Sequence, residues 1–252
     1  MAEMERIVVI TGVSSGIGEA TAALFSKEGW EVFGISRRVP QEKGSLAHHI
    51  RADISRHEDI RMVFHEIAHL TDSLDALVNN AALQICKPLI EMNSKEWDSI
   101  FNTNARSAFL CSKYGQPLLR KNGGAIVNVG SVHALATSAN IAAYAASKGA
   151  LLAFTRAAAI EFGKDNIRVN AVLPGAVDTP MLHEGLVREG GSRDSQELLL
   201  KNLSEKHIMK RIGKPGEIAE VIYFLSDSQK SSFITGQSII ADGGALARLS
   251  TE

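Results

Sequence analysis

The stretch that decides the fold is Arg6-Ile7-Val8-Val9-Ile10-Thr11-Gly12-Val13-Ser14-Ser15-Gly16-Ile17-Gly18. RIVVIT is a short, unbroken apolar run bounded by glycine, the pattern of a strand buried on both faces of a parallel sheet. After it, EATAALFSKEG repeats its apolar residues with the period of a helix. The glycines between strand and helix have separate uses. Gly12 permits a tight exit from the strand, Gly16 lets main chain approach a pyrophosphate, and Gly18 lets the helix pack against the strand. The helix N-terminus then presents free N–H groups and a partial positive charge to phosphate. A dinucleotide-binding loop is expected, with Ser14, Ser15 and Ile17 contributing beside the glycines.

Strand and helix signals alternate through the rest of the chain. WEVFGISRR, HHIRADI, LDALVNNAA, GGAIVNVGS, NIRVNAVLPGAVDTPM and SIIADGG read as further strands and their exits. This alternation argues an α/β fold with a doubly wound parallel sheet and right-handed crossovers. Residues 1–252 are expected to form a single domain, because no change of composition marks a linker. SKEWDSIFNTNARSAFLCSKYGQPLLRK reads as one long helical segment with Ser94 as N-cap, and GKPGEIAEVIYFLSD as a helix started at Pro215. From about 182 to 211 the chain is charged and includes Gly190-Gly191, the character of a helical lid.

Composition narrows the function. With 45% hydrophobic and 22% charged residues the chain can fill a large core, and its net charge of -1 gives no support for nucleic-acid or membrane partners. Cys86 and Cys111 have no metal-like spacing and read as reduced thiols. MAEMERIVVITG enters a strand directly without the form of a signal peptide, so a cytoplasmic protein is expected. His65-Glu66-Ile67-Ala68-His69 matches the zinc-peptidase signature HExxH. Ile60, Val63, Phe64 and Ile67 form the apolar stripe of that helix, however, leaving both imidazoles near its solvent side, and no third ligand is evident. No metal is expected in the reaction.

The chemistry is placed between Ser131 and Lys148. Tyr144 and Lys148 are four residues apart in an alanine-rich helical segment, so they share one face. A free phenol has a pKa of about 10, and a nearby cation favours its ionised form. Ser131 ends the buried-strand pattern AIVNVGS, at the end of the sheet where ligands bind. A hydrolase built on Ser131 and His133 is disfavoured, since the flanking residues lack the G-x-S-x-G elbow.

Together, the Gly12-x-x-x-Gly16-x-Gly18 loop, Ser131, and Tyr144-x-x-x-Lys148 resemble the short-chain dehydrogenase/reductase family in its single-domain form, including 3-oxoacyl-carrier-protein reductase and related carbonyl reductases. The likeness runs from Thr11 to Gly244 and implies a Rossmann-type sheet of seven strands in the order 3-2-1-4-5-6-7. It further implies that Tyr144 is the catalytic acid/base, Lys148 its pKa modulator and ribose ligand, Ser131 the carbonyl-polarising group, and Asn104 the holder of a water linking Lys148 to solvent. Asp53 and Ile54 would flank the adenine, Asn80 and Ala81 would lie near the cofactor, and Pro174, Gly175, Val177 and Thr179 would contact the nicotinamide half. Ala82 stands where the family usually has glycine.

Cofactor choice is read from the end of the second strand. A carboxylate there binds the 2′-hydroxyl of NAD, whereas arginine accommodates the 2′-phosphate of NADP. Ser36 fills the acidic position and Arg37 and Arg38 follow, so NADP(H) is favoured, with NAD(H) the alternative. The expected reaction is reversible hydride transfer between nicotinamide and a small carbonyl or secondary alcohol, with His133 and His183 as candidate substrate contacts. An NAD-dependent sugar or hydroxysteroid-type alcohol dehydrogenase and a non-catalytic nucleotide-binding protein are the competing readings. The resemblance also implies a homotetramer, with a homodimer as the alternative.

Overall fold

Each apolar run becomes a strand: β1 (Arg6–Thr11), β2 (Trp30–Ser36), β3 (His48–Arg51), β4 (Ala76–Asn79), β5 (Ala125–Val129), β6 (Arg168–Pro174) and β7 (Ser238–Ala241). The computed structural model describes residues 6–40, 43–190 and 193–247. Its sheet has seven strands in the order β3-β2-β1-β4-β5-β6-β7. All pairings are parallel; Ile10, for example, stands opposite Gly34 of β2 on one side and Val78 of β4 on the other. With every strand running the same way, the carboxyl ends of β1, β4, β5 and β6 meet along one edge, where a crevice opens in this architecture.

The crossovers are helices α1 (Gly16–Lys27), α2 (His57–Leu70), α3 (Ser94–Phe101), α4 (Ser107–Leu119), α5 (Ala142–Phe162), α6 (Pro180–Gly190), α7 (Arg193–Glu205), α8 (Pro215–Ser226) and α9 (Ser228–Ser231). On one face of the sheet, Phe64 and Ile67 of α2, Leu110 and Leu118 of α4 and Ala158 of α5 close over Leu77 and Ile126. On the other, α1 packs on α8, with Phe25 edge-to-face against both Trp30 and Tyr223 at 5.0 and 5.1 Å. Burying each such side chain is worth roughly 1.5–3 kcal/mol. The apolar stripe of α2 turns inward as its periodicity requires, and His65 and His69 are exposed.

The long segment after residue 93 differs from the sequence expectation. Its cap is Asn93 rather than Ser94, because the Asn93 side-chain oxygen accepts the Glu96 N–H and the Glu96 carboxylate accepts the Asn93 N–H, each at 3.0 Å. The segment is also interrupted by a π-helical turn over Asn102–Arg106 between α3 and α4. Such a turn inserts an extra residue and is frequent at functional sites. Pro215 opens α8 as expected. The described part of 182–211 is helical, in α6 and α7, while Gly191 lies outside the described residues.

Candidate active site

Helix α5 buries one long face, including Ala143, Tyr144, Ser147, Lys148, Leu151, Leu152 and Thr155, against the C-terminal half of the sheet. Asn79 and Asn128, neighbours on β4 and β5, hold this packing with polar bonds: Asn79 donates to Asn128 at 2.8 Å and Asn128 donates to Thr155 at 2.9 Å. Tyr144 and Lys148 consequently stand together at the carboxyl end of β5. The Lys148 Nζ lies 5.6 Å from the Tyr144 ring centre and donates to the carbonyl of Val129, the last residue of β5, at 2.7 Å. Two residues later Ser131, in extended backbone, starts a short turn in which its Oγ accepts the His133 N–H at 3.2 Å.

Burial governs the electrostatics of this group. Lys148 is 2% exposed. Loss of water pushes its ammonium down from the usual lysine range to about 8. Burial likewise pushes the Tyr144 phenol up to about 12, against a hydrogen bond with Ser131 that favours ionisation, while Cys86 beside it disfavours ionisation further. Sequence reasoning expected the cation to dominate and lower the phenol. The geometry brings the two groups together, but burial is the largest influence on the phenol and raises it.

Asn104 belongs to the π-turn and is buried. Its Nδ2 donates to Leu83 O at 2.9 Å and to Ser147 Oγ at 3.0 Å, and its Oδ1 accepts the Leu83 N–H at 2.7 Å. Ser147 in turn donates to the Tyr144 carbonyl at 2.7 Å. Both side-chain hydrogens of Asn104 therefore go to protein partners, and the residue ties the exit of β4 to the turn of α5 that carries Tyr144.

The glycine loop has the shape its sequence implies. Gly12 and Gly16 have φ of +76° and +61°, and a Cβ on Gly18 would fall 2.1 Å from the Gly12 carbonyl oxygen. Ser15 precedes α1 without a side-chain cap, leaving the first-turn amides from Gly16 onward to an outside acceptor. Asn80 clamps the loop: its Nδ2 donates to Thr11 O at 2.9 Å and Gly12 O at 3.2 Å, while the Asn80 and Ala81 amides donate to Thr11 Oγ1. Opposite, a Cβ on Gly16 would lie 3.1 Å from the Thr179 methyl, so the loop and the exit of β6 adjoin. That exit is braced where Gly213 bridges the Ala176 carbonyl and the Asp178 amide, leaving the Val177 amide outside the bridge.

At the end of β2 the Ser36 hydroxyl donates to Arg38 O at 2.6 Å, so it accepts from His49 Nε2 at 2.9 Å, which fixes the proton on that nitrogen. Arg37 and Arg38 are exposed. Burial raises the Asp53 carboxyl, but the Ser55 N–H and hydroxyl with the charges of Arg37 and Arg56 hold it below its ordinary value. Ile54 is buried in the core. His133 turns its ring edge-on to Tyr144 with centres 6.0 Å apart, whereas His183 is exposed and bound to Asp178 at 2.7 Å.

This arrangement has close counterparts. Residues 12–245 match the family model described as enoyl-(acyl carrier protein) reductase. The chain belongs to the short-chain dehydrogenase/reductase family. It is 34% identical to the 3-oxoacyl-[acyl-carrier-protein] reductase of Thermotoga maritima, covering 96% of this chain and 98% of that protein. It is 33% identical to the cyclopentanol dehydrogenase of Comamonas sp., covering 96% and 98%. The solved ligand-free aldohexose dehydrogenase of Thermoplasma acidophilum superposes with a TM-score of 0.92 at 32% identity, over 98% of this chain and 96% of that one.

As a short-chain dehydrogenase/reductase the chain is an NAD(P)-binding oxidoreductase with a single Rossmann-type domain. Several residues that shape its crevice escaped sequence reasoning. Ser147 and the paired Asn79 and Asn128 had a signal, polar residues on buried faces, that was not followed. The Val129 and Leu83 contacts act through main chain and leave no trace in residue type. Cys86, which accepts from Gln84 Nε2 at 3.1 Å beside Tyr144, reads from the sequence only as a reduced thiol.

Proposed function

We propose that the protein reversibly transfers hydride between NADP(H) and a small carbonyl or secondary-alcohol substrate. The observation that carries this reading is the convergence of a buried phenol, a hydroxyl and a buried ammonium, from Tyr144, Ser131 and Lys148, at the carboxyl end of β5, on the same edge of the sheet as the glycine loop that follows β1. The uncapped amides at the start of α1 and the left-handed Gly12 and Gly16 suit a pyrophosphate, and the approach of Thr179 to Gly16 supports the assignment of Pro174, Gly175, Val177 and Thr179 to the nicotinamide half. Nicotinamide, when bound, supplies the hydride chemistry.

The chain's own residues handle the proton. With burial holding the phenol near 12, Tyr144 keeps its hydrogen at neutral pH and is ready to donate it to a substrate oxygen that Ser131 also contacts. Lys148, held by Val129 O, places its positive charge beside the ring as the phenol loses that proton. Asn104, through Ser147, fixes the turn that aims Tyr144. His133 borders the substrate side of Tyr144.

NADP(H) is favoured because no carboxylate ends β2, and because the Ser36 hydroxyl is committed to Arg38 O, leaving Arg37 and Arg38, with Arg51 of β3 beside them, as the cations there. Glu31 is at the opposite end of the strand, paired with His48 at 3.0 Å. Among the described residues no helix is long and apolar enough to cross a membrane. The reading includes a cytoplasmic homotetramer, supported by exposed Phe109 on α4 and Ile160 on α5 as apolar contact surfaces. The test is a panel of ketones and secondary alcohols run with NADPH and NADH in parallel, with and without chelator. Chelator-insensitive turnover that is faster with NADPH is expected. Faster turnover with NADH contradicts the role of Arg37 and Arg38, and absence of any turnover contradicts the whole reading.

A further inference from the structure

The HExxH match on α2 is not explained by the dinucleotide crevice, yet its two histidines are arranged for a ligand. His65 and His69 are both exposed, one turn apart, with ring centres 4.4 Å apart and rings inclined by 48°. The His69 Nδ1 lies 2.7 Å from the His65 carbonyl oxygen. A carbonyl only accepts, so that nitrogen carries the proton and Nε2 presents its lone pair to solvent. A backbone carbonyl fixing the tautomer in this way is the usual support of a metal-bound imidazole.

The spacing also brings both rings within reach of one ion. At metal–nitrogen distances of 2.0–2.1 Å, two imidazoles at right angles on one ion have ring centres about 4.5 Å apart, and two at the tetrahedral angle about 5.2 Å. The rings of His65 and His69, with centres 4.4 Å apart, are close enough for both to reach one ion. For nitrogen donors the affinity of divalent first-row ions rises through Ni2+ to Cu2+. The pair lies in the last two turns of α2, which ends at Leu70, where the partial negative charge of the helix terminus favours a cation. The opposite face of the helix is committed to the core through Ile60, Val63, Phe64 and Ile67.

We propose that His65 and His69 form a surface chelate for a late first-row divalent cation, Ni2+ or Cu2+, outside the catalytic crevice. Water or buffer completes the coordination, and no proteolytic role is implied. The test is calorimetric titration of the untagged protein with NiCl2, alongside His65→Ala, His69→Ala and the double variant. One ion per chain is expected, with binding weakened roughly 100-fold in either single variant, since each loses the chelating partner. Because both side chains are exposed, the variants should match the parent protein in Tm and in carbonyl turnover. Unchanged Ni2+ affinity in the single variants, or no Ni2+ heat from the parent protein, overturns the proposal.

Discussion

Lys148 shows how a single side chain can oppose folding and still belong where it is. Its pKa is depressed to about 8 by burial, so the native state binds fewer protons than the unfolded chain between about pH 8 and the ordinary lysine value of 10.5. Stability therefore rises with pH across that window, and the full penalty, on the order of 3 kcal/mol, is present below it. Lys148→Met removes the penalty, offset in part by the lost hydrogen bond to Val129 O. The variant is expected to melt higher than the parent protein at pH 7, with the gap closing toward pH 10, and to lose most of its turnover. Thermal unfolding at both pH values checks this; a gap that widens with pH contradicts it. At this scale the sequence was half legible. The i,i+4 pairing of Tyr144 and Lys148 follows from helix geometry, but the size of the desolvation follows from how α5 meets β5, which no local pattern encodes.

Among the elements, the glycine loop and the π-turn carry the sharpest expectations. A Cβ on Gly18 would meet the Gly12 carbonyl at 2.1 Å, so Gly18→Ala must push α1 away from the loop. We expect at least about tenfold weaker NADPH binding, a loss of about 1.4 kcal/mol, measured by fluorescence titration; unchanged affinity would show that the loop does not hold the cofactor. Asn104→Leu leaves the half-buried amide and carbonyl of Leu83 without their partner, at roughly 1 kcal/mol for each group. Urea unfolding should show that loss, together with reduced turnover. The strand–glycine–helix signature was readable because each glycine answers a steric demand. The π-turn was not, because NTNAR has ordinary helix-compatible residues, and the partner that holds its Asn104 is Leu83, 21 positions earlier in the chain. Capping was misplaced by one residue because Asn93 and Ser94 are both good caps, and only the Glu96 side chain distinguishes them.

Across the whole molecule, the sheet is closed at its far end by Arg168, which no motif singles out. This buried side chain on β6 donates to Leu225 O at 2.8 Å, Ser231 Oγ at 3.0 Å and Ser226 O at 3.3 Å, binding the end of α8 and α9 to the sheet. Arg168→Met should cost roughly 3–5 kcal/mol in urea unfolding while leaving the crevice intact, since the loss falls on buried carbonyls rather than on site residues. A stability change under about 1 kcal/mol would contradict this. The layer arrangement was legible from alternation of periods, because a parallel sheet buried on both faces demands continuous apolar strands and amphipathic crossovers, whereas the strand order came from the family resemblance. The central claim is that Tyr144 donates the proton. The direct measurement is Tyr144→Phe, which removes one oxygen and keeps the buried ring. A fall in turnover of roughly 10²–10⁴-fold is expected, with NADPH affinity nearly unchanged. Parent-level turnover in that variant would contradict the mechanism.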